Sequence, residues 1–343
     1  MESNIIGSKT FSWADVDWTE LHRLRGRFLR FDEDGASSDE ADSQPDRSDY
    51  WSSESDLASY DFTFAERIGW KWDTVLAELK VRGWTPPAGT LLDWGCGTGV
   101  AGRRVAQAWP DAIHELIPWD RSGRARQFAV SRAQAVFPGL TVRMADIVPD
   151  LLVISHVLNE LSPQSLRRLI DLARQAQAIL WVEPGTSVVS RKLIAVCESL
   201  LGPFHAVAPC THANKCGMLA VGNERHWCHH FAKIPGHVHT DPGWGRFSAT
   251  LQIDLSTLPF SFLVLDRRPA MAGREQDASR VIGRARHYKG FAKVLSCQAD
   301  GVRELTLSKR DAPELFKEMK KSPGSLYQWK REEEKIRSGT RVF

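Results

Sequence analysis

Between residues 90 and 182 short apolar runs alternate with amphipathic segments of helix length, and this alternation constrains the fold more than any other feature. Strands separated by such helices cannot pair as hairpins. The helix carries the chain back across the sheet, so successive strands run parallel. The spacing predicts strands at 90–94, 113–119, 140–144, 151–155 and 178–182, and helices at 99–109, 121–137 and 163–176. Ser162 is a natural N-cap for the last of these, with Pro163 in its first turn. The predicted architecture is a doubly wound α/β sheet.

The first predicted strand ends in Asp93-Trp-Gly95-Cys-Gly97-Thr-Gly99 and then opens a helix. Glycine takes positive φ and lets a ligand approach the backbone, while the helix start offers unpaired N–H groups. A dinucleotide loop would read G-x-G-x-x-G. This loop reads D-x-G-x-G-x-G and resembles that of class I S-adenosylmethionine methyltransferases, which are Rossmann-like. The resemblance implies that Asp93, Gly95, Gly97 and Gly99 bind S-adenosylmethionine. It also implies that Asp120, closing the second strand, accepts hydrogen bonds from the ribose hydroxyls, and that Asp146 lies near the adenine edge. The plainer alternative is a turn that binds nothing, with Asp120 as a helix cap.

Reactive groups of open α/β sheets lie at the carboxyl ends of strands. The fourth strand runs into Ser155-His156-Val-Leu-Asn159-Glu160, so His156, Asn159 and Glu160 are the candidate catalytic residues. The Asn-Pro-Pro-aromatic signature of exocyclic-amine methylation is absent. Pro209-Cys210 looks like the Pro-Cys of cytosine-C5 methyltransferases, but the neighbouring cysteines favour a ligand role.

Between His205 and His239 lie seven of the eleven His and three of the six Cys. Cys210-x5-Cys216-x11-Cys228, with Cys297 far downstream, offers soft thiolates to zinc, copper(I) or an iron–sulfur cluster. Zinc would take three Cys and one of His212, His226, His229 or His230. A [4Fe–4S] cluster would take all four Cys, once the C-terminal part folds back. Spacing alone leaves both open, beside unliganded thiols. Cys96 and Cys197 read as structural.

Net charge is +3, but residues 32–56 hold ten acidic side chains and one Arg, and the remainder of the chain carries +12. A basic body suits a polyanion. No run approaches the roughly 18 apolar residues needed to span a bilayer. Residues 1–17 have neither signal-peptide nor transit-peptide character. A cytoplasmic location is expected, with reduced thiols.

The residues Ala208-Pro-Cys210-Thr-His212, Cys216 and Trp227-Cys228-His229-His230-Phe231 resemble the methyltransferase-like small-ribosomal-subunit assembly factors of mitochondria and their bacterial relatives. So do the glycine loop, Ser155-His156 with Asn159-Glu160-Leu161, Trp181-Val-Glu183-Pro184-Gly185-Thr186, Arg280-Val-Ile-Gly283-Arg-Ala-Arg286, Cys297 and Ser308-Lys309-Arg310. The resemblance covers roughly residues 60–312. It implies a [4Fe–4S] cluster on Cys210, Cys216, Cys228 and Cys297, and contact with small-subunit rRNA. Arg280, Arg284, Arg286, Lys289 and Lys293, with Lys309 and Arg310, are then expected to meet phosphates. A mitochondrial matrix location is the alternative to the cytoplasm. An active rRNA methyltransferase and a small-molecule methyltransferase with structural zinc are the other readings. Off the ribosome the expectation is a monomer. The expected layout is an N-terminal helix at 1–31, a disordered acidic strip at 32–60 and a cofactor domain at 61–204. A Cys/His insert at 205–240, a β-rich part at 241–310 and a basic tail at 311–343, helical over 311–337 with a break at Pro323 and Gly324, complete it.

Overall fold

The computed structural model describes residues 5–6, 9–33, 51–269, 278–321 and 324–343, so most of the acidic strip, 34–50, lies outside the described residues. The chain forms two compact units. One comprises Met1–Leu76, Thr85–Val182 and Ala232–Leu258, the other Ala77–Trp84, Glu183–Phe231 and Pro259–Phe343.

In the first unit, β1 (Ile5–Ile6) and β2 (Lys9–Thr10) form a short antiparallel ladder. The Asp15 carboxylate then accepts from the Ser12 N–H and hydroxyl at 3.0 and 2.8 Å. This closes a turn that competes with helix, so α1 (Trp18–Glu33) begins well inside the helical segment expected at 1–31. The expected strip at 32–60 is corrected at its end, where α2 (Glu54–Tyr60) starts on a capping box between Ser53 and Asp56. Acidic residues that read as disorder by composition here satisfy a helix start. A π-helical turn, Asp61–Ala65, joins α2 to α3 (Glu66–Val81).

The sheet follows. β3 (Gly89–Trp94), β4 (Ile113–Trp119), β5 (Thr141–Val142), β6 (Leu151–Ser155) and β7 (Ala178–Pro184) are parallel and lie in the order β5-β4-β3-β6-β7. Leu151 to Ile154 are fully buried, as expected of strands covered on both faces. Helices α4 (Val100–Ala108), α5 (Gly123–Val136) and α6 (Pro163–Ala173) connect them, and Ser162 caps α6 as expected. The order reverses between β3 and β6, the switch point at which open α/β sheets bind ligands.

The second unit contains α7 (Ser187–Leu200), and β10 (Pro259–Asp266) pairs there antiparallel with β8 (His205–Ala208) and β9 (His230–Phe231). The expected β-rich part does not begin at 241. Residues Pro242–Leu251 form α8, capped by Asp241, in the first unit. The expected helical tail at 311–343 is also corrected. Among the described residues there, only α9 (Pro313–Lys321) is helical. β14 (Leu326–Glu332) and β15 (Lys335–Arg341) join β11 (Ser279–His287), β12 (Phe291–Gln298) and β13 (Gly301–Ser308) in a closed barrel ordered β11-β12-β13-β15-β14. Lys, Glu and Arg favour helix locally, but Tyr327 and Ile336 bury in the barrel core with Val294, Leu305 and Phe316. Tertiary pairing overrides propensity. No described helix is long and apolar enough to cross a membrane.

Candidate functional site

The switch point of the first unit is built on the glycine loop. Gly95, Gly97 and Gly99 have φ of 69°, 52° and 81°. A Cβ on Gly95 would stand 2.6 Å from Val157 Cγ1, and one on Gly99 2.9 Å from Ala129 Cβ, so both glycines are needed for packing. Gly97 differs: nothing lies within 4 Å of its would-be side chain. Its N–H donates to Asp120 Oδ2 at 2.9 Å, and Ser122 N–H donates to Oδ1 at 2.9 Å. Asp120 therefore both ties the loop and starts α5.

Asp93 is placed otherwise than a ligand-facing residue. It is 1% exposed, and its Oδ2 accepts the Gly102 N–H at 2.9 Å, pinning α4 behind the loop. Burial pushes its carboxyl up to about 7, against the Gly102 bond and Arg103. Asp146 stands exposed beyond β5.

His156 follows β6 in the left-handed region, at φ 58°. Its Nε2 lies 2.9 Å from Lys71 Nζ and its Nδ1 3.1 Å from Ser155 Oγ, which accepts from Trp72 Nε1 at 3.0 Å. Burial, and then Lys71, push the imidazole well below its ordinary value. The network assigns Nε2 as an acceptor facing an ammonium. Its lone pair is engaged rather than available to a substrate proton. Asn159 and Glu160 follow, half-buried, on the next turn. Burial, Glu160, Asp61 and Asp120 together push the Tyr60 hydroxyl up, so α2 contributes to this neighbourhood. Trp94 and Trp119 stack at 4.9 Å at the ends of β3 and β4. Sequence reasoning missed Lys71, Tyr60 and this Trp pair. Only the pair left a signal, each Trp standing one residue before Gly95 or Asp120.

In the second unit the four cysteines converge. Cys216, Cys228 and Cys297 pack with Ile194, Met218 and Ile282. Burial and then the Cys216 sulfur push the Cys210 thiol up to about 11; burial followed by Cys210 and Cys216 push Cys297 up to about 12. Burial, Cys210, Cys297 and Cys216 raise Cys228 as well. Each segment is held by its backbone. The Cys228 carbonyl accepts from Ser190 and Ser261 at 2.5 and 2.7 Å, and the Cys216 N–H donates to Glu198 at 3.0 Å. Arg82 donates to the carbonyls of Val207, Pro209 and Cys210, and Arg280 to that of Pro209. His212 Nε2 lies 3.6 Å from Cys297 Sγ, and His230 Nε2 3.7 Å from Cys228 Sγ. Among the described residues no group of three or more His, Cys, Asp or Glu side chains is set to hold a metal ion.

One expected phosphate contact is corrected. Arg280 is 2% exposed and paired with Glu78, which also pairs with Arg82. It braces the Cys210 segment and does not reach solvent. Arg284, Arg286, Lys289, Lys309 and Arg310 are exposed, as expected.

Solved structures with similar chains include an S-adenosylmethionine-dependent methyltransferase from Aquifex aeolicus, 14% identical, covering 45% of this chain and 89% of that one, with TM-score 0.35. Two more, from Thiobacillus denitrificans and Geobacter sulfurreducens, were solved with S-adenosyl-L-homocysteine. They are 14% and 16% identical, each covering 58% of this chain and 91% and 90% of theirs, each with TM-score 0.32. A likeness this distant identifies neither a substrate nor a cofactor. No curated protein matches the sequence. A family model does, that of the mitochondrial small ribosomal subunit protein Rsm22, over residues 72–328, and the chain belongs to this Rsm22 family.

Proposed function

We propose that this chain binds S-adenosylmethionine at its glycine loop, holds a [4Fe–4S] cluster on Cys210, Cys216, Cys228 and Cys297, and works on the small ribosomal subunit. The cofactor reading is carried by the Gly97 N–H bonded to Asp120 beneath open space, at the sheet's switch point. Asp120 would orient the ribose, and the glycine loop would let the ligand lie against bare backbone. S-adenosylmethionine, when bound, supplies an electrophilic methyl group. No base is assigned, because Lys71 engages His156 Nε2.

The cluster reading is supported by Cys216, Cys228 and Cys297 packing on one apolar cluster, and by burial, then neighbouring sulfurs, raising the thiols of Cys210, Cys228 and Cys297. A cluster distributes its thiolates over separate irons, whereas zinc gathers all its ligands on one ion. The ribosomal partner follows from the family, described as a mitochondrial small-subunit protein. The compartment is that of the subunit, cytoplasm for a bacterial-type member and matrix for a mitochondrial one.

Isothermal titration should show S-adenosylmethionine binding. Asp120→Ala should weaken it tenfold or more, since a hydrogen bond to a charged group is worth about 1.5–3 kcal/mol. A wild-type protein that ignores the ligand would overturn the assignment. Anaerobically purified protein should carry iron and sulfide, and Cys216→Ser should lose both. Zinc in their place would establish the structural-zinc reading instead. Co-sedimentation with small subunits tests the partner.

A further inference from the structure

The barrel has a specific connectivity. β11, β12 and β13 form an antiparallel meander, α9 follows, β14 returns to β11, and β15 pairs parallel with β13. Five strands closed in this order are the arrangement of OB-folds, which bind oligonucleotides or oligosaccharides on the face of their second and third strands and on the turns joining the first to the second and the fourth to the fifth. Topology alone names no ligand, so the surface must.

On β12, Phe291, Lys293, Leu295 and Cys297 alternate with buried Ala292, Val294 and Ser296. One end of this outer face is covered. Leu295, Cys297 and Val302 pack with Ile194 and Met218. The other end is bare, and its residues are of two kinds. Tyr288 and Phe291, 50% and 37% exposed, stack on each other at 4.7 Å and 15° across the β11–β12 turn. Around them stand Lys289 in the turn, with Arg286 opposite Lys293 and Lys293 opposite Thr306 in the ladder. Glu304 pairs with Arg286 and Lys293 and cancels only part of this charge. Arg284, further along β11, lies 4.2 Å over the Phe231 ring. The β14–β15 turn is Glu333-Glu334 and repels a polyanion, so the cationic contacts come from the β11–β12 side alone.

Exposing two large aromatic rings to water is unfavourable unless something covers them. Flat rings inside a cationic strip fit nucleobases joined by phosphates, whose faces are accessible only when unpaired. We propose that the barrel binds single-stranded RNA across β12 and the β11–β12 turn, with bases stacking on Tyr288 and Phe291 and phosphates meeting Arg286, Lys289 and Lys293. This deepens the ribosomal reading and rests on it for the choice of RNA. It needs neither S-adenosylmethionine nor the cluster.

The test is fluorescence anisotropy of the full chain with a labelled twelve-nucleotide oligouridine. The wild type should bind, with affinity falling as salt rises. Tyr288→Ala combined with Phe291→Ala should weaken binding about tenfold or more, the loss expected for one stacked base. Tyr288→Phe combined with Phe291→Tyr should bind as wild type. Both sites are exposed, so the melting temperature should not move. A duplex of equal length should bind at least tenfold more weakly. Oligouridine that does not bind, an alanine pair within twofold of wild type, or a duplex that binds equally well would overturn the proposal. Because the probe is a free oligonucleotide, these outcomes are separate from co-sedimentation with the subunit, which can fail independently.

Discussion

Asp61→Ala is expected to destabilise the first unit by about 3–5 kcal/mol, the cost of stranding buried charges. Asp61 stands in the π-helical turn between α2 and α3, where it accepts from Arg103 at 2.8 Å and Arg132 at 2.9 Å. All three side chains are buried. Removing the carboxylate takes from two buried guanidiniums the counter-charge they share. The effect should reach the glycine loop, because Arg103 also donates to the Thr98 carbonyl at 2.6 Å. Burial by itself would push the Asp61 carboxyl up, but Arg103 and Arg132 more than reverse this and hold it below its ordinary value. A carboxylate depressed in the folded state adds stability that is present above its unfolded pKa and lost as pH falls. Urea midpoints measured at pH 7 and below pH 4, the unfolded carboxylate range of about 3.9, should therefore converge more in Asp61→Ala than in the wild type. Equal midpoints for the two proteins at pH 7 would rule the network out as a stabilising element.

Glu78→Ala should have an effect of the same size, about 3–5 kcal/mol, in the second unit. The design is repeated there. Glu78, in the last turn of α3, lies between Arg82 and Arg280, and all three are buried. Burial raises its carboxyl, while Arg280 and Arg82 outweigh burial and hold it below its ordinary value. The arginines also grip the carbonyls of residues 207–210. Freed of Glu78, they should release the segment that carries Cys210. Faster alkylation of Cys210, read by peptide mass spectrometry, would separate this local loosening from a general loss of stability. Unchanged alkylation beside a lowered midpoint would show that the arginines hold the loop without their carboxylate.

The parallel sheet was legible because its signal is local. Apolar runs of strand length, caps such as Ser162 and the D-x-G-x-G-x-G loop each act within a few residues. The glycine positions and Asp120 were legible for the same reason. The barrel was not. LYQWKRE in β14 carries helix-favouring charges, and only its partners β11 and β15 make it a strand. Arg280 is the clearest case: by composition it belongs with Arg284 and Arg286 on a basic surface. The register that sets it opposite Cys297 turns it inward, where Glu78, far away in sequence, neutralises it.

The sequence by itself determined the periodicity, the caps and the positive-φ glycines, because each follows from steric and hydrogen-bonding rules acting along the chain. Tertiary structure alone decided which charges are buried as pairs and which meet solvent. It brought four thiols from separate segments together, closed a barrel from a tail rich in charge, and left Tyr288 and Phe291 outside it. Burial depends on what packs against a residue, and that partner is set by the fold rather than by its neighbours in sequence.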